Sequence, residues 1–461
     1  MHELSLLAAA GEDPTRDCLI ADDRVWSYGD VASRVRAAVA YLEAQGVKPG
    51  DRVALAPEVD VDSVFWLYAL FEIDCPAVLL HPGLSDRECA VVLAEAQPAH
   101  LIGDRVPDEA PTGDDRPPVL TSASHVLAIA YTSGSKGTPR GARLSRRAFI
   151  ASEAAHAANL GWLPDDRWLL CMPPAHVGGL SILTRSLIAR RSVVLSPGPF
   201  DPRELTRTME KDRVTLLSVV PTMLRRLLSL EEPGWVPSSE LRAVLVGGAP
   251  FPDALRADAV SRGVPTLATY GCTEACSQAT TQTRDQSQRR GSGAPLPGIE
   301  VRIEQGEIQI RGEILMDGYL GEDRSGAPWT QDGWLCSGDF GSFLPDGQLL
   351  VLGRLDDLIV TGGENVAPQE VEAWLETVPG VAAACVFALP HDDWGEEVVA
   401  AIVTDSTQYS ADTFRDQLAA ELAPHKRPKR ICELDALPLN RSGKVDRAAV
   451  KARCSGKLQP F

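Results

Sequence analysis

The sequence predicts an α/β protein, with a large N-terminal domain of layered, parallel-rich sheets and helices that has a β-rich end, followed by a small α+β C-terminal domain. Short β-branched or Leu-rich runs alternate with longer helical patterns through most of the chain, and from Gly306 the pattern changes to short strands and turns. Alternation of this kind is typical of βαβ units and parallel sheets. The 461 residues, 44% of them apolar and 23% charged, are enough for two or more globular domains.

The predicted elements of the large domain follow one another along the chain. Strands are predicted at residues 52–55, 192–195, 215–220 and 243–246, and helices at 28–45, 84–96, 145–159 and 221–230. Pro221 follows a strand and opens a helix, which suits proline because its φ is already helical and its missing amide donor is not needed there. Residues 307–310 and 346–352 predict the β-rich end, with Asp346-Gly347 as a hairpin turn.

The small C-terminal domain is predicted from its own run of elements, which are a helix at 368–376, a strand at 384–387 and a helix at 411–422. We place the boundary within residues 353–357, so the domains are 1–353 and 354–461. No Gly/Pro-rich linker occurs there, and a short hinge is therefore expected instead of a flexible tether.

The bulk charge excludes some classes of partner. A formal net charge of −18 disfavours nucleic acid, whose phosphates would be repelled except at a local basic patch.

Ten cysteines are scattered singly, which is unlike a disulfide scaffold. Cys272 and Cys276 are close in sequence but have no second pair at zinc-ligand spacing, so buried thiols are expected.

The start of the chain and its most apolar stretch predict a cytoplasmic protein without a membrane span. The N-terminus has acidic residues and no basic region before its short apolar run, which disfavours a signal peptide. The apolar stretch from Val64 to Leu80 contains Glu72 and Asp74, so it is expected in the core and not in a membrane.

A loop of small residues follows the apolar run at 126–130. It is Tyr131-Thr132-Ser133-Gly134-Ser135-Lys136-Gly137-Thr138-Pro139-Arg140-Gly141. Such a loop after a strand offers backbone N–H groups, hydroxyls and two cations to a polyphosphate. It is not a Walker A loop, and by itself it could be an ordinary turn.

Four later segments complete a pattern with this loop. They are Tyr270-Gly271-Cys272-Thr273-Glu274, residues 332–339 ending in Ser337-Gly338-Asp339, Gly353-Arg354-Leu355-Asp356-Asp357, and Asn440-Arg441-Ser442-Gly443-Lys444. In this order and spacing the five motifs resemble the adenylate-forming superfamily of acyl-CoA synthetases, peptide-synthetase adenylation domains and luciferases. The resemblance covers nearly the whole chain.

The resemblance implies an enzyme that uses ATP, Mg²⁺ and coenzyme A. A carboxylate is a poor electrophile, because attack on it would have to expel oxide. Transfer of AMP from ATP turns that oxygen into a leaving group, which a thiol can displace. The expected partners are a small carboxylic acid, ATP and CoA, and a carrier protein that bears a pantetheine arm is an alternative acceptor.

The resemblance also assigns the nucleotide-binding residues. The β- and γ-phosphates are expected on Thr132, Ser133, Gly134, Ser135 and Gly137. Lys136 stands where a small hydroxylated residue is usual and Arg140 where lysine is usual, and both changes keep or add positive charge. The adenine pocket is expected from Gly248, Ala249, Pro250, Tyr270 and Gly271.

The remaining nucleotide contacts are implied in the same way. Glu274 is expected to hold Mg²⁺, with Thr273 at the α-phosphate, although a lone glutamate is usually a solvated charge. Asp339 is expected to accept hydrogen bonds from the ribose hydroxyls, joined by Arg354, for which a structural salt bridge is the alternative.

Catalysis is expected to depend on Lys444, which matches the lysine that related enzymes place between the α-phosphate and the acyl carboxylate. A solvated lysine is the alternative. Because Lys444 lies near the C-terminus, within the predicted small domain, that domain must be mobile and close over the ATP site. Asp356 matches the hinge, about which rotation would bring Gly362 and Gly363 to the pantetheine arm.

The acyl site is expected near His176, Ser181 and Arg185, in a stretch especially similar to the o-succinylbenzoate–CoA ligases of menaquinone biosynthesis. Their substrate carries a second, aromatic carboxylate that a cation such as Arg185 could bind; alternatively Arg185 lies on a helix surface and His176 is structural. The rival functions are a CoA ligase for another aryl or medium-chain acid, a stand-alone adenylation enzyme that loads a carrier protein, and a non-catalytic binding protein.

Overall fold

The computed structural model describes residues 4–103, 105–108, 122–132, 139–230, 235–322, 324, 328–404, 418, 421–440 and 444–460. The strands of the large domain are β1 Asp17–Ala21, β2 Arg24–Ser27, β3 Val53–Leu55, β4 Ala77–Leu79, β5 His100–Leu101, β6 Val126–Thr132, β7 Arg140–Ser145, β8 Arg167–Leu170, β9 Ser192–Leu195, β10 Leu216–Val219, β11 Ala243–Val246, β12 Thr266–Tyr270, β13 Thr280–Thr281 and β14 Ala294–Pro295. Its β-rich end consists of β15 Ile299–Glu304, β16 Glu307–Gly312, β17 Leu335–Phe343 and β18 Leu349–Arg354.

The helices of this part are α1 Leu6–Glu12, α2 Tyr28–Ala44, α3 Val61–Glu72, α4 Asp86–Ala96, α5 Arg146–Leu160, α6 Val177–Ala189, α7 Pro202–Lys211, α8 Pro221–Leu228 and α9 Asp253–Ser261. Helices α2 and α4 begin at reciprocal capping boxes, formed by Ser27 with Asp30 and by Ser85 with Glu88. None of the described helices is long and apolar enough to cross a membrane.

Two parallel-rich sheets organise the large domain. One has the strand order β14-β13-β12-β11-β10-β8-β9-β1-β2, parallel from β12 to β1, and the other has the order β5-β3-β4-β6-β7, parallel from β5 to β6. Helices α2, α3, α5 and α6 share one buried core with both sheets, whereas α7, α8 and α9 cover the opposite face of the larger sheet. Helix α3 is apolar on all sides because it lies inside this core.

One sheet ends and another begins at the predicted domain boundary. Strands β15 to β18 form an antiparallel sheet that ends at Arg354, with the Asp346-Gly347 turn between β17 and β18 as predicted. The next strand, β19 Ile359–Thr361, belongs to a separate sheet with β20 Glu364–Val366, β21 Val381–His391, β22 Gly395–Thr404, β23 Arg430–Glu433 and β24 Gln459–Pro460. Helices α10 Pro368–Leu375 and α11 Arg447–Cys454 pack against it.

Most predicted elements lie within a few residues of the observed ones. The exception is the strand predicted at 384–387, which is part of the longer β21 because its cross-strand pairing with β22 continues to His391. Most of the helix predicted at 411–422 lies outside the described residues.

Candidate active site

The expected phosphate loop connects two antiparallel strands. Thr132 ends β6 and pairs with Arg140, the first residue of β7, so residues 133–138 join the two strands. Ser133, Gly134, Ser135, Lys136 and Gly137 lie outside the described residues. The described ends nevertheless place the loop at the carboxyl end of β6, where parallel sheets commonly bind ligands.

The guanidinium of Arg140 has two protein partners. It lies 3.6 Å above the centre of the Tyr319 ring, and its Nη2 is 2.5 Å from Glu322 Oε2. The expected contribution of Arg140 to phosphate binding would therefore come from a cation held at the base of the loop, next to Tyr319.

The expected adenine and ribose residues form one hydrogen-bonded group. Tyr270 ends β12, and its hydroxyl donates to Asp339 Oδ2 at 2.7 Å. Arg354 Nη1 donates to Asp339 Oδ1 at 3.0 Å and to Ser337 O at 2.9 Å. The salt bridge considered for Arg354 is thus present, while the ribose and adenine roles stay predictions. Burial, followed by the charge of Asp339, raises the pKa of Tyr270 well above its usual value, so the phenol remains a donor.

Tight backbone turns surround this group. A Cβ on Gly271 would lie 1.5 Å from Ser277 O, which explains why glycine follows Tyr270. Gly248, at φ +76°, follows β11 with Ala249 and Pro250 next to it, and both Gly248 and Pro250 are exposed. These residues can therefore present backbone edges to a planar base.

Lys444 reaches this group from the C-terminal domain. Its backbone N–H donates to Asn440 Oδ1 at 3.0 Å, and its Cε lies 3.8 Å from where a Cβ on Gly248 would be. Surrounding protein lowers the pKa of Lys444, Asp339 opposes that shift, and Arg354 adds to it. The side chain still keeps an exposed surface, so it is a cation at the edge of the site and not one sealed in the core. Arg441 to Gly443 lie outside the described residues.

Thr273 and Glu274 lie in a short 3-10 turn directly after β12. Glu274 Oε1 accepts a hydrogen bond of 2.7 Å from the hydroxyl of Tyr319. A carboxylate that accepts one such bond retains lone pairs for a hard cation, so Glu274 fits the expected Mg²⁺. No group of three or more His, Cys, Asp and Glu side chains that could hold a metal occurs in the described part of the chain.

The expected acyl-site residues lie on or next to α6. His176 precedes the helix and packs against His81, with 4.8 Å between ring centres. Burial lowers the pKa of His176 to about 4, and His81 and Lys444 add to that shift. Ser181 is buried, and its hydroxyl donates to Gly178 O at 3.1 Å.

Arg185 is buried, with 2% of its surface exposed, so the helix-surface alternative is wrong. Its Nη1 donates to Gln278 Oε1 at 2.6 Å and its Nη2 to Ser152 Oγ at 2.8 Å. Within the described residues no carboxylate forms a salt bridge with it, and its Nε has no hydrogen-bond partner. Burial lowers the pKa of Arg185 to about 10, which leaves it a cation at neutral pH. The site thus contains a buried positive charge whose hydrogen-bond partners are neutral, while the charge of Glu153 partly favours it.

The expected hinge is held on both sides. Asp356 is exposed, whereas Arg354 is paired with Asp339 of the large domain and Asp357 Oδ2 is 2.8 Å from Arg447 Nη1 of the small domain. Gly362 and Gly363, at φ +59° and +86°, form the exposed turn between β19 and β20.

Several residues around the site were not identified from the sequence. Tyr319, His81, Ser152 and Glu322 carry no local signal, because their contacts join segments far apart in the chain. Gln278 is likewise identified only from the structure, which shows that its side chain accepts a hydrogen bond from Arg185.

The fold and the arrangement of this site define an adenylate-forming enzyme, and the chain belongs to the AMP-binding enzyme family. The model of that family matches residues 6–320, and the model of the AMP-binding enzyme C-terminal domain matches residues 370–444. The family predicted from the five motifs is thereby confirmed.

More particularly, the chain is similar to 2-succinylbenzoate–CoA ligase from Bacillus pumilus (strain SAFR-032), with 35% identity over 480 residues and 97% of each chain covered. It also resembles the solved structure of o-succinylbenzoate CoA synthetase from Bacillus subtilis in complex with the acyl-adenylate intermediate. That match has 30% identity and a TM-score of 0.87, and it covers 97% of this chain and 98% of that one.

A double mutant of the Bacillus subtilis enzyme bound with a product analogue gives a lower TM-score of 0.73 at 30% identity, although 100% of this chain and 99% of that one are covered. The arrangement of the whole chain is therefore closer to that of the acyl-adenylate complex than to that of the product-analogue complex.

Proposed function

We propose that this protein is an AMP-forming acid–thiol ligase of the cytoplasm that converts o-succinylbenzoate to o-succinylbenzoyl-CoA in menaquinone biosynthesis. The observation that carries the proposal is the approach of Lys444 to Gly248 and to the Tyr270–Asp339–Arg354 group, since it brings a cation from near the C-terminus to the residues expected to bind the nucleoside. The full-length similarity to ligases of this name supports the choice of acid.

In the first half-reaction a carboxylate oxygen of the acid attacks the α-phosphorus of ATP, and pyrophosphate leaves. Negative charge grows on the α-phosphate oxygens, where the Lys444 ammonium would lie. Glu274 and Thr273 follow β12 on the same side of the site, so Glu274 would hold Mg²⁺, which neutralises polyphosphate charge when bound.

In the second half-reaction the thiol of CoA attacks the acyl carbon, and AMP leaves. This step does not require Lys444, and rotation about Asp356 would move that side chain out of the active site. The exposed glycines at 362 and 363 would let a thin pantetheine arm pass close to the backbone. His176, neutral above about pH 5, would line the acyl site as an uncharged ring.

Arg185 supports an acid with a second carboxylate. A buried guanidinium that forms no salt bridge among the described residues, and interacts with the charge of Glu153 only at longer range, is costly, and a substrate carboxylate would offset that cost. Two other functions remain as alternatives: a CoA ligase for another aryl or medium-chain acid, and an adenylation enzyme that loads a carrier protein.

The proposal is tested by measuring AMP and thioester formation with ATP, Mg²⁺ and CoA across o-succinylbenzoate, benzoates and medium-chain fatty acids. A strong preference for o-succinylbenzoate supports the full proposal. Turnover of another acid would keep the chemistry and overturn the pathway. Adenylation without any CoA thioester would point to a carrier-protein acceptor.

A further inference from the structure

Tyr319 contacts two parts of the site that lie far apart in the sequence, Glu274 and Arg140. Its hydroxyl donates to Glu274 Oε1 at 2.7 Å, and only 6% of the residue is exposed. The backbone around it is held on both sides: Met316 N–H donates to Glu274 O at 2.8 Å, and Leu320 N–H donates to Gly141 O at 2.8 Å. Residues 316–320 therefore join the Glu274 turn to the strand that follows the phosphate loop.

The ring of Tyr319 is held from a second direction. The Arg140 guanidinium lies 3.6 Å above its centre, and Ala142 forms a bridge with Tyr319 across the strands. A cation over an aromatic face restricts the ring and therefore the direction of the hydroxyl. Arg140 stands where the common motif has lysine, so this contact involves a residue in which the chain differs from that motif.

We propose that Tyr319 is a positioning residue that fixes the Glu274 carboxylate for Mg²⁺–ATP and, through residues 316–320, ties it to β7. The inference rests on the proposed function. A hydrogen bond to one carboxylate oxygen orients the carboxylate. Removal of a residue that hydrogen-bonds a metal ligand typically weakens metal affinity by about 10–100-fold.

The test measures ATP binding by calorimetry over a range of Mg²⁺ concentrations, without any acid so that no adenylation occurs. Tyr319→Phe removes only the hydroxyl and keeps the ring under Arg140. ATP affinity should increase with Mg²⁺ concentration and then level off. We expect the Mg²⁺ concentration at the midpoint of this increase to be about tenfold higher, or more, in the variant than in the wild type. The matched control is the similarly buried Tyr28→Phe, whose hydroxyl donates to Arg191 O at 3.2 Å instead, and which should stay within about twofold of the wild type.

A Tyr319→Phe variant that titrates like the wild type would overturn the inference. If the wild type binds ATP without regard to Mg²⁺, the proposed function itself fails, so the two failures are distinguishable. A double-mutant cycle with Glu274→Gln guards against a general loss of stability. The penalty of Tyr319→Phe should nearly vanish in the Glu274→Gln background, and an equal penalty in both backgrounds would also overturn the inference.

Discussion

Lys444 is the residue on which the two half-reactions should differ most. Its Cε lies near Gly248, and its charge interacts with that of Asp339. We expect Lys444→Ala to abolish adenylation, because the cation at the α-phosphate is lost, and to spare thioester formation from supplied acyl-adenylate. Pyrophosphate exchange and CoA-dependent consumption of synthetic adenylate measure the two steps. Equal loss of both would contradict the assignment.

Arg185 gives a prediction about the choice of acid. We expect Arg185→Gln to lower kcat/KM for o-succinylbenzoate by about 100-fold or more, because a charged hydrogen bond to the second carboxylate is lost. The same variant should lose much less with a monocarboxylic acid that the enzyme turns over. Parallel losses with both acids would show that Arg185 serves only the core network with Ser152 and Gln278.

His176 gives a prediction about stability against pH. Its pKa is about 4 in the folded protein and near 6.5 in an unfolded chain, so between these values the unfolded state binds more protons. Stability should therefore be complete above pH 6.5 and fall as the pH drops toward 4, by at most about 1.4 kcal/mol per pH unit. His176→Gln should make the fall shallower in urea unfolding. Some fall should remain, because burial also lowers the pKa of His156.

At the scale of elements, the short turn between β18 and β19 is where rotation should occur. The Arg354–Asp339 and Asp357–Arg447 pairs fix the two ends, which leaves Leu355 and the exposed Asp356 to change their backbone angles. We expect Asp356→Pro to slow the thioester step more than adenylation, because proline fixes φ at this residue. Asp356→Ala is the control, since it removes the charge and keeps the freedom. Uniform effects of proline on both steps would refute the hinge.

The elements also show what local sequence can and cannot specify. Helix α2 and the Asp346-Gly347 hairpin were predictable because a capping box and a turn dipeptide act within a few residues. The burial of Arg185 was not, because Ser152 and Gln278 approach it from segments 33 and 93 residues away. The nucleotide motifs were recognisable as motifs, but the hydrogen bond from Tyr270 to Asp339 forms only because the fold brings together β12 and β17, which belong to different sheets.

At the scale of the whole molecule, one contact joins the domains away from the site. Arg225 of α8 donates from Nη1 to Ala382 O at 3.1 Å, and its Nη2 lies 3.9 Å from Glu376. We expect Arg225→Ala to slow adenylation by about 2- to 10-fold and to leave the thioester step unchanged or faster, because the contact favours the present arrangement. Arg226→Ala is the matched control, since its guanidinium lies over Phe200 of the same domain. Equal effects of both variants would argue against a role for the contact.

The insertion of β1 between β9 and β2 has a consequence for synthesis on the ribosome. The parallel partner of Leu19 and Ile20 is the pair Val193 and Val194, so about 170 residues must be made before β1 can complete its pairing. At typical elongation rates that is a delay on the order of ten seconds, during which an apolar strand edge waits without its partner. The nascent β1 can thus pair only with β2 until translation has passed the middle of the large domain, and its other edge is open to wrong pairing during that time.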